Sequence, residues 1–299
     1  MALLQLSFII FLTTKSQPWL PSNNNNKDEE PKVVLITGAS SGIGESLAYE
    51  FAKHKSILVL CARRIDLLTN VVEKNCMSLG ATKVISVRTD VTKEEDINKL
   101  IAVVETNTAT NGRIDCLVLN AGVSMGETLE SLKDFELIKN IMDVNFFGSS
   151  LLAYRAIPLL KKKPSSKSRI VVVSSLLGII PGPLRTGYCA SKFALKGYFE
   201  SLQHELAPYD IFVTMAYPGA VVTEINKNRL GENPKDLEMK NAISSEECAR
   251  TIFKSVCRGD REVVFMATGK FARLVEGIFP DLLFSIVGRL SQKYFKKRT

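Results

Sequence analysis

Seven short runs of apolar, largely β-branched residues punctuate this chain, at 33–36, 57–61, 84–87, 116–119, 170–173, 211–217 and 262–266. Amphipathic stretches separate them. Apolar runs without polar alternation suit strands covered on both faces, and connections of helical length supply the covers. The pattern predicts βαβ units around a parallel sheet of about seven strands, an α/β, doubly wound fold in a single domain. Helices are expected at 44–53, 137–160 and 188–206, among others. Ser244-x-x-Glu247 reads as a capping box opening the helix before the last strand. A chain of 299 residues is long for one domain but within reach of a single large α/β unit.

With 45% hydrophobic and 23% charged residues the chain can bury a full core, which excludes a disordered protein. A net charge of +8 suits nucleic acid, an anionic membrane or an anionic cofactor. The basic residues are dispersed apart from Lys161-Lys162-Lys163 and Lys296-Lys297-Arg298, without the extended interleaving of aromatic and basic residues that marks a nucleic-acid module. A nucleic-acid module is therefore not expected. Cys61, Cys76, Cys116, Cys189, Cys248 and Cys257 form no CxxC pair and have no histidine nearby. Neither a metal site nor a disulfide framework is expected, and buried thiols are the plain reading.

The ends differ from the middle. Residues 1–14 are a hydrophobic segment too short to span a bilayer comfortably, similar to the apolar region of a signal peptide or to a weak anchor. Residues 15–31 read as a polar linker, 32–267 as the folded domain and 268–299 as an amphipathic, basic helical extension. In that extension Ile278, Phe279, Leu282, Leu283, Phe284, Ile286, Val287 and Leu290 recur at near-helical spacing, interrupted by Pro280, and lysines come after them. Such a stripe fits a helix lying in a membrane interface, or one packed on the domain or on a second subunit. The closing Lys-Lys-Arg-Thr resembles a dilysine retrieval signal, which implies the endoplasmic reticulum or another membrane; without it the expectation is cytoplasmic.

The first apolar run delivers the chain into Thr37-Gly38-Ala39-Ser40-Ser41-Gly42-Ile43-Gly44. Glycines at a strand-to-helix turn let backbone N–H groups approach a pyrophosphate, with the positive end of the helix dipole behind them. The spacing is G-x-x-x-G-x-G rather than the commoner G-x-G-x-x-G. The hydroxyls of Ser40 and Ser41 are placed to reach phosphate or ribose. After the second strand an NAD site usually carries an acidic residue for the ribose 2′-hydroxyl. This chain has Cys61-Ala62-Arg63-Arg64 there, and Arg63 suits a 2′-phosphate, so NADP(H) is favoured over NAD(H). Either arginine is alternatively a solvated charge at the start of a helix. The fold expectation sharpens to a Rossmann domain.

Tyr188 and Lys192 stand four apart, on one face of the helix predicted at 188–206. At about 5 Å and an effective dielectric of about 20, the ammonium would favour the phenolate by roughly 3 kcal/mol, or about two pKa units. That shift would bring a phenol toward efficient proton exchange. Ser175, just past the fifth apolar run, is placed to donate to a carbonyl oxygen as negative charge develops on it. Loop, phenol, amine and hydroxyl together point to hydride and proton transfer.

With these residues in view, the chain resembles the short-chain dehydrogenase/reductases along nearly all of 32–267. The matching motifs are Thr37-Gly38-x-x-x-Gly42-x-Gly44, Asp90-Val91, Asn120-Ala121-Gly122, Asn145, Ser175, Tyr188-x-x-x-Lys192 and Pro218-Gly219. The stretch from Ser174 to Lys192 looks most like the membrane-associated member-7 branch, near the 11β-hydroxysteroid dehydrogenases. The resemblance implies that Asp90 contacts the adenine and that Asn120 steadies the sheet beside the cofactor. It also implies that Asn145 holds a water in a proton relay through Lys192 and that Thr223 touches the nicotinamide amide. Leu119 stands where the family commonly has a second asparagine. The activity implied is interconversion of a carbonyl and an alcohol on a small lipophilic molecule (steroid, retinoid or other lipid). Alternatives are an epimerase or dehydratase on this fold, or a non-catalytic NADP(H)-binding scaffold at a membrane. A homodimer or homotetramer through helices 137–160 and 188–206 is implied as well. Leu176, Leu177, Ile179, Ile180, Pro181, Pro183 and Leu184 would line an apolar pocket or form lid packing, and 224–241 is expected to form a flap over the site.

Overall fold

The computed structural model describes residues 19, 30–162, 167–226, 230, 242–265 and 267–296. Seven strands, β1 (Val33–Thr37), β2 (Ile57–Ala62), β3 (Lys83–Arg88), β4 (Cys116–Leu119), β5 (Ser168–Val173), β6 (Ile211–Tyr217) and β7 (Glu262–Val264), form one sheet in the order β3-β2-β1-β4-β5-β6-β7. Every neighbouring pair is parallel. The chain enters at β1, winds outward to β3, then returns to β4 on the other side. Connections therefore diverge between β1 and β4, and a crevice opens at the carboxyl ends of the strands there.

The strands lie where the apolar runs predicted them, with ends displaced by a residue or two. β5 starts earlier than its run, at Ser168 and Arg169, because both are buried despite their polarity. The helices are α1 (Gly42–Ala52), α2 (Ile65–Leu67), α3 (Lys74–Ser78), α4 (Glu94–Thr106), α5 (Glu136–Met142), α6 (Gly148–Leu160), α7 (Thr186–Leu206), α8 (Ser245–Arg258), α9 (Ala267–Ile278) and α10 (Pro280–Lys296). One face of the sheet packs on α4, α6 and α7 through Leu100, Leu152, Leu195 and Phe199. The other packs on α1, α3 and α8 through Leu47, Phe51, Cys76, Ile252 and Phe253.

Two helix expectations change form. The helix expected at 137–160 is α5 and α6 joined by a π-helical turn, Asp143–Phe147. Pro280 does not merely interrupt the C-terminal stripe: it opens α10, where its missing N–H costs nothing. Ser244 caps α8, accepting the Glu247 N–H at 3.1 Å. Trp19, inside the stretch read as linker, is buried edge-on to Phe51, and its backbone N–H donates to the Cys257 carbonyl at 3.0 Å. Residues 1–14 and most of 15–29 lie outside the described residues, as do 227–229 and 231–241 of the expected flap.

α9 packs against the segment beyond β5. A Cβ on Gly269 would sit 3.1 Å from Leu176 and 3.2 Å from Val264, and Arg273 pairs with Glu262 at 3.0 Å. The outward side of α9 and α10 exposes Phe271, Leu274, Ile278, Leu282 and Phe284. Among the described residues, no helix is long and apolar enough to cross a membrane.

Candidate active site

A cavity of about 910 Å³ occupies the crevice at the carboxyl ends of the strands. One end is built by the loop between β1 and α1. Gly38 and Gly42 have φ of +63° and +60°, the left-handed region that suits glycine. No side chain caps the first turn of α1, so its N–H groups and dipole face the cavity. Gly44 makes the tightest approach: a Cβ there would lie 2.5 Å from Asn120 Nδ2 and closer still to the Gly38 carbonyl oxygen. Asn120 commits its amide to this loop, donating to the carbonyls of Thr37 at 3.0 Å and Gly38 at 3.2 Å. Thr37 Oγ1 accepts from the N–H groups of Asn120 and Ala121, so β1 and β4 are stitched together beside the loop. The spacing of motifs did not single out Thr37 for this. Its place between the last apolar residue and Gly38 was the available signal.

The two arginines after β2 take different places around the cavity. Arg64, not Arg63, reaches the loop: its guanidinium donates to Ser40 Oγ at 3.2 Å and to Ser41 Oγ at 2.7 Å, and pairs with Glu224 at 2.8 Å. The two serine hydroxyls thus accept from Arg64. The arginine lies at the N-cap of α2 with φ −88° and ψ 80°, a turn that swings it toward the loop. Arg63 lines the same cavity, and its charge acts on Asp90. Burial alone would raise the Asp90 carboxyl, but two hydrogen bonds from Thr92 and the charges of Arg63 and Lys93 hold it below its usual range. Ile43, Asp90, Val91, Ala121 and Gly122 line the cavity from the β1–β4 half of the sheet. Pro218, Gly219 and Thr223 line it from beyond β6, and Thr223 folds over Gly42.

At the other end Ser175, Tyr188 and Lys192 converge on the same cavity. Ser175, two residues past β5, is in extended conformation and accepts the Leu177 N–H at 3.2 Å, starting a short 3₁₀ turn, Leu176–Gly178. That turn presses on α7 at Lys192, since a Cβ on Gly178 would lie 2.9 Å from the Lys192 carbonyl. Lys192 is buried, its Nζ donating to the Val173 carbonyl at 3.1 Å and lying 5.6 Å from the centre of the Tyr188 ring. Asn145, in the π-turn, is fully buried. Its Oδ1 accepts from Val123 at 2.8 Å, and its Nδ2 donates to the Val123 carbonyl at 3.0 Å and to Ser191 Oγ at 2.9 Å. The amide thereby ties the loop after β4 to α7.

The electrostatics differ from the helix-face argument. Burial raises the Tyr188 phenol above its usual range, and the Ser175 hydrogen bond and the Arg185 charge act against that rise. Burial also brings Lys192 down to about 8. Desolvation outweighs the Coulomb attraction that spacing alone suggested. The apolar residues between Ser175 and Tyr188 split as well. Leu176, Leu177 and Pro183 line the cavity, whereas Ile179, Ile180 and Leu184 are buried in the packing behind it. Burial pushes the thiols of Cys61 and Cys248 up to about 12, so they are inert. Among the described residues no cluster of three or more His, Cys, Asp or Glu could hold a metal.

The uncapped helix start, the glycine cradle and the paired arginines fit a dinucleotide phosphate. Together with a phenol and an ammonium at the far end, they define a class: oxidoreductases that work with a nicotinamide dinucleotide on one doubly wound domain. The chain belongs to the short chain dehydrogenase family, whose sequence profile matches residues 32–233, and it is a short-chain dehydrogenase/reductase enzyme. It is 38% identical to 11-beta-hydroxysteroid dehydrogenase-like 2 of Arabidopsis thaliana over 266 residues, covering 89% of this chain and 83% of the relative. It is 41% identical to 11-beta-hydroxysteroid dehydrogenase A of Sesamum indicum over 248 residues, covering 80% and 69%. Among solved structures, an alcohol dehydrogenase from the archaeon Thermococcus sibiricus, complexed with 5-hydroxy-NADP, matches at 26% identity with a TM-score of 0.68. That match covers 79% of this chain and 96% of the other.

Proposed function

We propose that the protein interconverts a carbonyl and an alcohol on a lipophilic small molecule, with NADP(H) as the hydride partner. The observation that carries this reading is the convergence of Ser175, Tyr188 and Lys192 on the cavity whose far end is the glycine loop. NADPH supplies a hydride when bound. The loop N–H groups hold its pyrophosphate, Arg63 and Arg64 favour a 2′-phosphate, and Asp90 and Thr223 flank the two ends. Ser175 donates to the substrate oxygen as charge develops on it. Tyr188, kept protonated by burial, is in the form that gives a proton to that oxygen. Lys192 uses one of its three donors on Val173, which leaves two for ribose hydroxyls and for restoring the proton. Asn145 acts by fixing the loop through Val123.

The apolar wall of Leu176, Leu177, Pro183 and Val144 supports a lipid-like substrate, and the relatives' names make a hydroxysteroid or its ketone the first class to assay. The exposed apolar side of α9 and α10, together with the lysines that the sequence places after Leu290, supports association with an anionic membrane surface. Exposed Phe147, Tyr154 and Phe193 on the π-turn, α6 and α7 support a dimer through those helices. The deciding experiment is Tyr188→Phe with a panel of steroid, retinoid and fatty carbonyls. Turnover is expected to fall by at least about a thousandfold while NADPH binding is kept, which corresponds to about 4 kcal/mol of transition-state stabilisation. Near-normal turnover in that variant would remove Tyr188 as the acid.

A further inference from the structure

Arg185 lies three residues before Tyr188, at the N-cap of α7. It is 9% exposed and lines the cavity beside the phenol. Its Nη1 donates to Ser124 Oγ at 2.7 Å and to the Met125 carbonyl, both on the loop after β4. The residue before it, Leu184, has φ of +62°, a left-handed conformation that a leucine adopts only under constraint, and its carbonyl accepts the Glu127 N–H at 3.1 Å. Strained backbone held by surrounding contacts concentrates where the geometry of the adjoining residues matters. Immediately after Leu184 the chain places the arginine and then, three residues on, the tyrosine.

We propose that Arg185 is a positioning residue of this site: it clamps the loop after β4 through Ser124 and Met125 and thereby fixes a positive charge beside the Tyr188 phenol. The proposal rests on the reading of Tyr188 as the group that exchanges a proton with substrate. Asn145 holds the same loop at Val123, and Leu230 adds a third tie, its N–H donating to the Ser124 carbonyl at 2.8 Å. Arg185 thus joins the loop's position to the tyrosine's surroundings. Several elements bear on the phenol. Ser175, after β5, and Arg185 favour the ionised form, whereas Cys189 on α7 opposes it. Lys192, also on α7, is anchored to β5 through Val173. Asn145 is bonded to Ser191, and Glu127 is the buried carboxylate of the loop after β4. Tyr188 is the third residue of α7, whose uncapped start adds positive field from the side on which Arg185 sits.

The test is a pH titration of phenolate absorbance in the full-length chain without cofactor, with the Tyr188→Phe signal subtracted to isolate Tyr188. Arg185→Gln keeps a donor for Ser124 and Met125 but removes the charge, whereas Arg185→Lys keeps the charge. Arg185→Gln is expected to move the Tyr188 midpoint upward by about one pH unit, about a tenfold loss of phenolate at a fixed pH. Arg185→Lys is expected to titrate close to wild type. An Arg185→Gln chain that titrates with wild type overturns the proposal. An equal displacement in both variants overturns it too, since that marks a packing effect. Arg185→Met takes the place of Arg185→Gln if the glutamine chain does not fold. In alcohol oxidation, kcat/KM of Arg185→Gln should fall about tenfold at neutral pH and recover at alkaline pH, a profile that merely disturbed packing would not give. A wild-type chain with no turnover would count against the proposed activity, while the titration would still decide the role of Arg185.

Discussion

Replacing Gly44 with alanine tests the phosphate loop where it has least room. The new Cβ would meet Asn120 Nδ2 at 2.5 Å and the Gly38 carbonyl carbon at 3.0 Å. Ordinary non-bonded contact begins near about 3.5 Å, so the Asn120 amide must withdraw by about 1 Å. Its hydrogen bonds to Thr37 and Gly38, at 3.0 and 3.2 Å, do not survive that movement. Each lost bond costs about 0.5–1.5 kcal/mol and the overpacking about 1–3 kcal/mol, whereas alanine for glycine in a helix returns about 1 kcal/mol. The net loss centres near about 3 kcal/mol, or about a hundredfold in NADPH affinity if it falls on the bound loop. Fluorescence titration with NADPH and thermal unfolding read the two ways the cost can appear. Gly197→Ala is the control, because nothing lies within 4 Å of a Cβ at that point of α7. It is expected to stabilise by about 1 kcal/mol with NADPH binding unchanged. A Gly44→Ala chain that binds NADPH within about twofold of wild type and melts at the same temperature would refute the close-approach argument.

Arg64→Ala removes the guanidinium that spans Ser40, Ser41 and Glu224. It is expected to weaken NADPH binding by about 1.5–3 kcal/mol while leaving NADH nearly unchanged, and an equal loss for both cofactors would assign Arg64 to loop structure alone. Lys192→Met is expected to resist urea better than wild type at pH 7, because burial brings the lysine from 10.5 to about 8 and the folded chain holds its charge at a cost. Between those two values the unfolded state binds more protons, so wild-type stability rises with pH. The advantage of the variant, up to about 3 kcal/mol, should vanish by about pH 10.5. A gap that stays constant over that range, measured as the difference between paired urea curves, would contradict the burial of a charged Lys192.

Which parts of this molecule a reader of the bare sequence can recover depends on whether the deciding interaction is local. Strands covered on both faces leave a continuous apolar run, so β1, β2, β4 and β6 were legible nearly to the residue. The glycines at 38, 42 and 44 were legible because backbone approach forbids a side chain whatever lies opposite. The π-turn at Asp143–Phe147 was not, since the helical period runs on through it. What opens the turn is distant, the demand of the Asn145 amide for Val123 and Ser191. Arg63 and Arg64 differ by one position, and only the backbone turn at Arg64 decides which reaches Ser41. Ile180 and Pro183 look alike as pocket candidates until the 3₁₀ turn after Ser175 and the left-handed Leu184 bury one and expose the other. Tyr188 shows the limit most sharply. Four-residue spacing fixes that an ammonium is near, but the sign of the net shift belongs to desolvation, which is a property of everything packed around the phenol. The spacing of a helix face therefore locates such a site, while its proton affinity is set first by burial and then adjusted by neighbours such as Arg185 that no motif marks.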